Sequence, residues 1–149
     1  MENLLLTKPE YKTEQTAFGT WRRFLYPSGQ SYAEFTTRWR VFGLPLLHYT
    51  SGVCPETGRR RVARGIIAVG RVAFGVCAIG QAAFGAIAIG QAAVGVLLGL
   101  GQLAAGLAAI GQLSLGAVAI GQLAVGIVSL GQVGVGFYVL AQRGYGWHI

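Results

Sequence analysis

The chain reads as an all-β protein: a β-solenoid built from five-residue sides in a ten-residue double repeat, preceded by a small β-hairpin head. Three observations lead there. Glycine recurs every five residues between Gly65 and Gly136, with one extra residue inserted near Leu98-Gly99-Leu100. Glutamine follows every second glycine, at Gln81, Gln91, Gln102, Gln112, Gln122 and Gln132; Arg71 holds the same place at the start, and Gln142 follows Ala141. Between glycines, large aliphatic residues alternate with small ones.

The head comes first, over residues 1–64, with the solenoid assigned to 65–149. Trp21-Arg-Arg-Phe-Leu-Tyr26 and Ser31-Tyr-Ala-Glu-Phe-Thr-Thr-Arg-Trp-Arg-Val-Phe42 are rich in aromatic and β-branched residues, and Pro27-Ser-Gly-Gln30 between them is a turn signal. A hairpin is expected there. Gly43-Leu-Pro-Leu-Leu-His48 is expected to break its second strand, and Ser51-Gly-Val-Cys-Pro-Glu-Thr-Gly58 reads as a loop.

In the body, a period of five suits neither regular element. In a helix, successive glycines would fall about 140° apart and build no face, each costing about 1 kcal/mol against alanine. In a flat strand, an odd spacing flips the pattern to the other face at every step. A four-residue strand followed by a corner accepts the beat, and glycine suits a corner that needs φ > 0. Numbering each pentad from its glycine, positions 3 and 5 are large (Val72, Phe74, Cys77, Ile79) and position 4 is small (Ala73, Ala78, Ala83, Ser114, Ser129). The expected solenoid therefore has a large-aliphatic interior and a small-residue exterior, with about twenty residues per coil in four sides. Substitution at Gly85 or Gly116 is expected to be costly, and at Gly99, off the beat, to be better tolerated.

Two other readings compete. No charged residue lies between Arg71 and Arg143, and uncharged apolar stretches of this length signal membrane helices. That makes a small integral membrane protein, with helical spans in 65–140 and acting as an accessory subunit, the alternative. A membrane-adsorbed or membrane-embedded solenoid is the third.

Composition narrows the function. Hydrophobic residues are 53% and charged residues 11% of the 149, against roughly 25% charged in an ordinary soluble domain. All five acids are glutamates and there is no aspartate, which removes any aspartate-based triad, EF-hand loop or paired-aspartate site. The net charge is +7. Residues 57–149 carry six arginines and no acid, five of them in a collar: Arg59, Arg60, Arg61, Arg64 and Arg71. Such a cluster suits a partner or an anionic surface; the same arginines could instead pair with glutamates of the head. Nucleic acid is not expected, since no recognised binding motif accompanies the charge.

The N-terminus has three leucines where a signal peptide needs 7–15 apolar residues, so the chain is expected on the cytoplasmic side, membrane-associated at most. Cys54 and Cys77, the only cysteines, are expected to be structural thiols. Gly99-Leu-Gly-Gln-Leu-Ala104 matches a dinucleotide fingerprint on paper, but no acid follows Glu56 to hold a ribose. His48, Cys54 and His148 match no zinc spacing. Glu34 and Glu56 have nothing to mark them as an acid–base pair. No cofactor and no metal are expected.

Leu44-Pro-Leu-Leu-His48, Pro55-Glu-Thr-Gly-Arg59 and Ala63-Arg-Gly-Ile-Ile-Ala-Val-Gly70, running into Gly-x-x-Ala-x pentads, resemble a family of bacterial pentad-repeat proteins with a Leu-Pro-Leu-x-His segment before the repeats. The resemblance covers about residues 43–146 and implies an architecture, but no activity and no site residues. The expected role is that of a non-enzymatic structural or assembly protein. Its apolar solenoid sides would mediate self-association, as a homo-oligomer, or docking in a larger complex, and its basic collar would face an acidic partner or an anionic lipid surface.

Overall fold

The computed structural model describes residues 10–148, all in strands, turns and loops, with no helix among them. The readings made on residues 1–9 and on residue 149 lie outside the described residues. The expected hairpin is present. Strands β2 (Gly19–Leu25) and β3 (Ser31–Thr37) pair antiparallel, Leu25 opposite Ser31 and Gly19 opposite Thr37, and β1 (Lys12–Gln15) adds to the outer edge of β2. The turn closes where Gln30 accepts a hydrogen bond from the Tyr26 amide at 2.8 Å.

The second strand ends earlier than expected, at Thr37, and the segment expected to break it, residues 43–48, is itself largely strand. A short ribbon, β4 (Arg40–Val41) and β5 (Leu44–Pro45), turns tightly at Phe42 and Gly43, both at positive φ (52° and 79°). Strand β6 (Leu47–Ser51) then pairs antiparallel with β3 on one side. On its other side β6 pairs parallel with β7 (Ala63–Val69), Leu47 opposite Ile67 and His48 opposite Ala68. Two of the three segments that carry the resemblance, residues 44–48 and 63–70, thus lie directly against each other. Pairing then runs parallel from β7 to β8 (Val72–His148), completing one open six-stranded order, β1-β2-β3-β6-β7-β8.

The β7–β8 register advances by ten residues: Ala63 opposite Ala73, Gly65 opposite Gly75, Val69 opposite Ile79. The same step recurs to the end of the chain. A Cβ built on Gly80, Gly90, Gly111, Gly121, Gly131 or Gly136 would run into the carbonyl oxygen of the glycine ten residues earlier. On Gly101 and Gly106 it would meet Gly90 and Gly95, eleven residues back, which marks the single inserted residue. Phe74 stacks on Phe84 with ring centroids 4.8 Å apart and planes 11° from parallel, the spacing of neighbouring strands. The step between stacked segments is therefore ten residues, not the twenty expected.

With the ten-residue step, the expected pattern of inside and outside is inverted. Ala63, Ala68, Ala73, Ala78, Ala83, Ala88 and Ala93 form one core cluster, each at 0% exposure. Ala104, Ala109, Ser114, Ala119, Ala124 and Ser129 are likewise completely buried. These are the position-4 residues expected outside. Phe74, Ile79, Phe84, Ile89, Val94, Ile110, Leu115 and Ile120, expected inside, are exposed. The buried positions hold methyl and hydroxymethyl side chains, with Val139 the one branched exception, while the larger aliphatic rows turn out. The two buried serines are satisfied: Ser129 Oγ donates to the Val135 carbonyl at 2.8 Å, and Ser114 Oγ to that of Leu123 at 3.5 Å.

The reason for the glycine beat is corrected as well. Apart from Gly106, at a nearly extended 159°, no glycine on the beat has positive φ. What excludes a side chain is the carbonyl of the glycine ten or eleven residues earlier. Gly99 is not permissive either: it occupies the inward slot of its side, where a Cβ would lie 2.6 Å from the Ala105 carbonyl oxygen. The helical-span alternative for 65–140 falls, because among the described residues no helix is long and apolar enough to cross a membrane.

Candidate functional site

The head closes around one buried carboxylate. Glu34, on β3, is 4% exposed. The strand pairings put it opposite Arg22 on β2 and Thr50 on β6. Arg61 Nη1 donates to Glu34 Oε1 at 2.7 Å, and Arg22 Nη1 approaches Oε2 at 3.4 Å. The Tyr32 hydroxyl donates to Oε2 at 2.9 Å. His48 Nδ1 accepts the Arg64 amide proton at 2.9 Å, so the ring proton sits on Nε2, which donates to Glu34 Oε1 at 3.0 Å. Burial alone would push this carboxyl up; hydrogen bonds from His48, Arg61 and Tyr32 outweigh it and bring it down to about 2. Burial, then the bond to Glu34, pushes the Tyr32 phenol up.

The loop after β6 aims the arginines. Gly58 donates to the Cys54 carbonyl and the Cys54 amide to the Arg59 carbonyl, both at 2.9 Å, and Val53 bridges to Arg60. Thr50 Oγ1 donates to the Arg61 carbonyl at 3.2 Å. Cys54 is a buried free thiol, and Cys77 is also free. Burial raises the Cys54 thiol, but hydrogen bonds from the Glu56 and Thr57 amides, the Thr57 hydroxyl and Tyr11 outweigh it, for a net lowering.

Of the five collar arginines, Arg60, Arg61 and Arg71 line a 380 Å³ cavity with Tyr49, Thr50, Ser51 and Gln81. Arg60, Arg61 and Arg64 line a second, of 590 Å³, with Arg40 and His48. Arg59 lines neither. Arg61 is committed to Glu34, so head-to-collar pairing holds for that residue. Among the described residues, no carboxylate lies within ion-pair distance of Arg59, Arg60, Arg64 or Arg71. Guanidinium groups beside the Thr50 and Ser51 hydroxyls suit a phosphate or carboxylate.

Sequence reasoning missed the Glu34 network and the contribution of Arg40. The alternation of β3 offered a signal, since Tyr32 and Glu34 fall on one face. Glu34 and Glu56 do not form an acid–base pair: Glu56 is exposed and approaches Arg22 at 3.5 Å. His148 stacks on Tyr138 near the C-terminal end of β8, and the described residues bring no three His, Cys, Asp or Glu side chains together for a metal. Gly99-Leu-Gly-Gln-Leu-Ala104 lies within β8 rather than at a strand-to-helix turn. No protein-family model matches the chain, and neither does any curated protein or solved structure.

Proposed function

We propose that the chain is a non-enzymatic structural protein: a two-sided β-solenoid of ten-residue turns, capped at one end by the head, whose apolar sides are its docking surface in a larger assembly. The ten-residue register and the stacked glycines support the solenoid. The head supplies the cap, because β6 and β3 cover the first strand edge of the body, which would otherwise be open to pairing. The exposed arginines of the collar, Arg59, Arg60, Arg64 and Arg71, would face the acidic partner or anionic surface.

One observation carries the reading. From Val72 to Gln142 the outer face has no charged side chain and presents rows of exposed Phe, Ile, Leu and Val. A monomer in water rarely exposes more than a few hundred Å² of contiguous apolar surface, so these sides are covered in use. Light scattering behind size exclusion tests it: the 15.7 kDa chain should run as a larger particle or require detergent. A well-behaved monomer at high concentration without detergent would sink the proposal.

A further inference from the structure

The geometry points to a bilayer as the cover: the repeat body spans a membrane as a β-solenoid. This rests on the docking reading above and names its partner. The first support is length. Seven turns separate Gly70 from Ala141, one of them an eleven-residue turn. At roughly 4.8 Å per turn they rise about 34 Å, against about 30 Å of hydrocarbon in a typical bilayer and about 40–45 Å with headgroups.

The second support is the pair of borders. Arg71 and Arg143 are the charged residues on either side of the body. Arg60 lines a cavity with Arg71, and Arg59 and Arg64 lie within twelve residues of it in sequence; near Arg143 stand the exposed aromatics Tyr138, Tyr145 and Trp147. Arginine reaching for phosphates and aromatic rings at headgroup depth are the usual borders of a spanning segment. The head adds Trp39 and Phe42, the latter 98% exposed at the tip of the β4–β5 ribbon beside Arg40.

The third support is the backbone. Strands fail in hydrocarbon because open edges leave amides and carbonyls unpaired. Winding removes side edges, since each turn is bonded to the turns above and below it. The two remaining edges lie at the ends, one under β6 and the other at the aromatic rim, outside the hydrocarbon. The Gln column is the one polar strip. Its amides recur one turn apart, the spacing at which side-chain amides bond along a stack; insertion into hydrocarbon would require them to close that ladder.

The test reconstitutes the full chain into vesicles of phosphatidylcholine and phosphatidylglycerol. An environment-sensitive fluorophore is placed, one site at a time, at Val76→Cys, Val118→Cys and Tyr138→Cys in a Cys54→Ser, Cys77→Ser background. All three parent side chains are exposed, so the labels need no interior space. Lipids brominated deep in the acyl chain should quench the label at 118 several-fold more than those at 76 and 138, and aqueous iodide should do the reverse. The protein should float with vesicles after washing in high salt and in alkali. Release by salt, or equal quenching at all three depths, would overturn insertion and leave the protein surface-bound. A lipid-free oligomer of fixed size that ignores vesicles would overturn insertion and keep the docking reading, with other copies as the cover. A lipid-free monomer would overturn both.

Discussion

Adding one methyl group at Gly134 tests whether the interior is a slot one alanine wide. At successive inward positions the chain has Ala124, Ser129, Gly134 and Val139. Val139 is the one branched residue among these and is 5% exposed. A Cβ on Gly134 would lie 2.6 Å from Val139 Cγ1 and 3.2 Å from the Ala141 Cβ. The valine therefore occupies room that an alanine across the slot would fill. Forcing a methyl into a filled interior costs about 1–3 kcal/mol, offset in part by about 0.4–1 kcal/mol from restricting the unfolded glycine. Gly134→Ala should thus destabilise by about 1–2 kcal/mol. Val139→Ala removes two buried methyl groups worth about 0.8 kcal/mol each and opens a cavity, for about 2–3 kcal/mol.

Together the two changes recreate the alanine pair of the other turns. The double variant should fall within about 1 kcal/mol of the parent, where independent effects would sum to about 3–5 kcal/mol. Urea titration by circular dichroism gives the global value. Because repeat stacks can open from an end, hydrogen exchange over residues 128–146 should be read alongside it. Additive losses, or a neutral Gly134→Ala, would refute the shared slot and with it the two-sided packing.

Gly90→Ala and Gly99→Ala should both lower the urea midpoint, by an amount worth roughly 2 kcal/mol or more each, since each puts a methyl against a backbone carbonyl; a harmless Gly99→Ala would restore the view that off-beat glycines are permissive. Glu34, held at about 2 when folded and near 4.3 when unfolded, contributes about 3 kcal/mol that is complete above pH 5 and fades as pH falls toward 2. Glu34→Gln should flatten that acid limb in a pH series of denaturant midpoints. Arg61→Gln should destabilise by roughly 1–3 kcal/mol by stripping a charge-assisted bond from a buried carboxylate, while Arg60→Gln and Arg71→Gln should leave the thermal midpoint within a degree or two and weaken anionic-vesicle binding instead.

The hairpin was legible because Pro27-Ser-Gly-Gln30 and its flanking aromatics act locally, and local chemistry decides a turn. The five- and ten-residue beats were legible for the same reason. What the beat is for was not, because a glycine needed for positive φ and a glycine needed for a close carbonyl look alike in one dimension. Gly85 and Gly29 differ only once folded: Gly85 sits under the Gly75 carbonyl, whereas Gly29 turns at φ 84° with open space around it. The Glu34 network was hidden because its donors come from four separate segments, Arg22, Tyr32, His48 and Arg61, and only strand pairing collects them. The collar was legible as charge; which arginines share a cavity depended on the loop that turns at Gly58.

The inversion of inside and outside has a consequence for any role assigned to the body. A soluble domain resolves its apolar content by facing it inward, and twenty residues per coil would have left room to do so. A ten-residue step does not: the inward positions hold Ala, Ser or Gly, with Val139 the exception, and the rows of Phe, Ile and Leu stay exposed. The exposed Phe74–Phe84 stack and the rows of Ile and Leu around it therefore follow from the ten-residue step, not from a surplus that better packing would hide. Replacing them by Lys and Glu would leave the alanine slot and the glycine contacts intact, so the fold itself does not demand the oil. On the proposed docking reading, what demands it is the cover those sides take. Outward charge at Val118 or Ile120 should accordingly be nearly silent in the stability of the head and abolish the covering interaction, the opposite of what substitution of a core residue does.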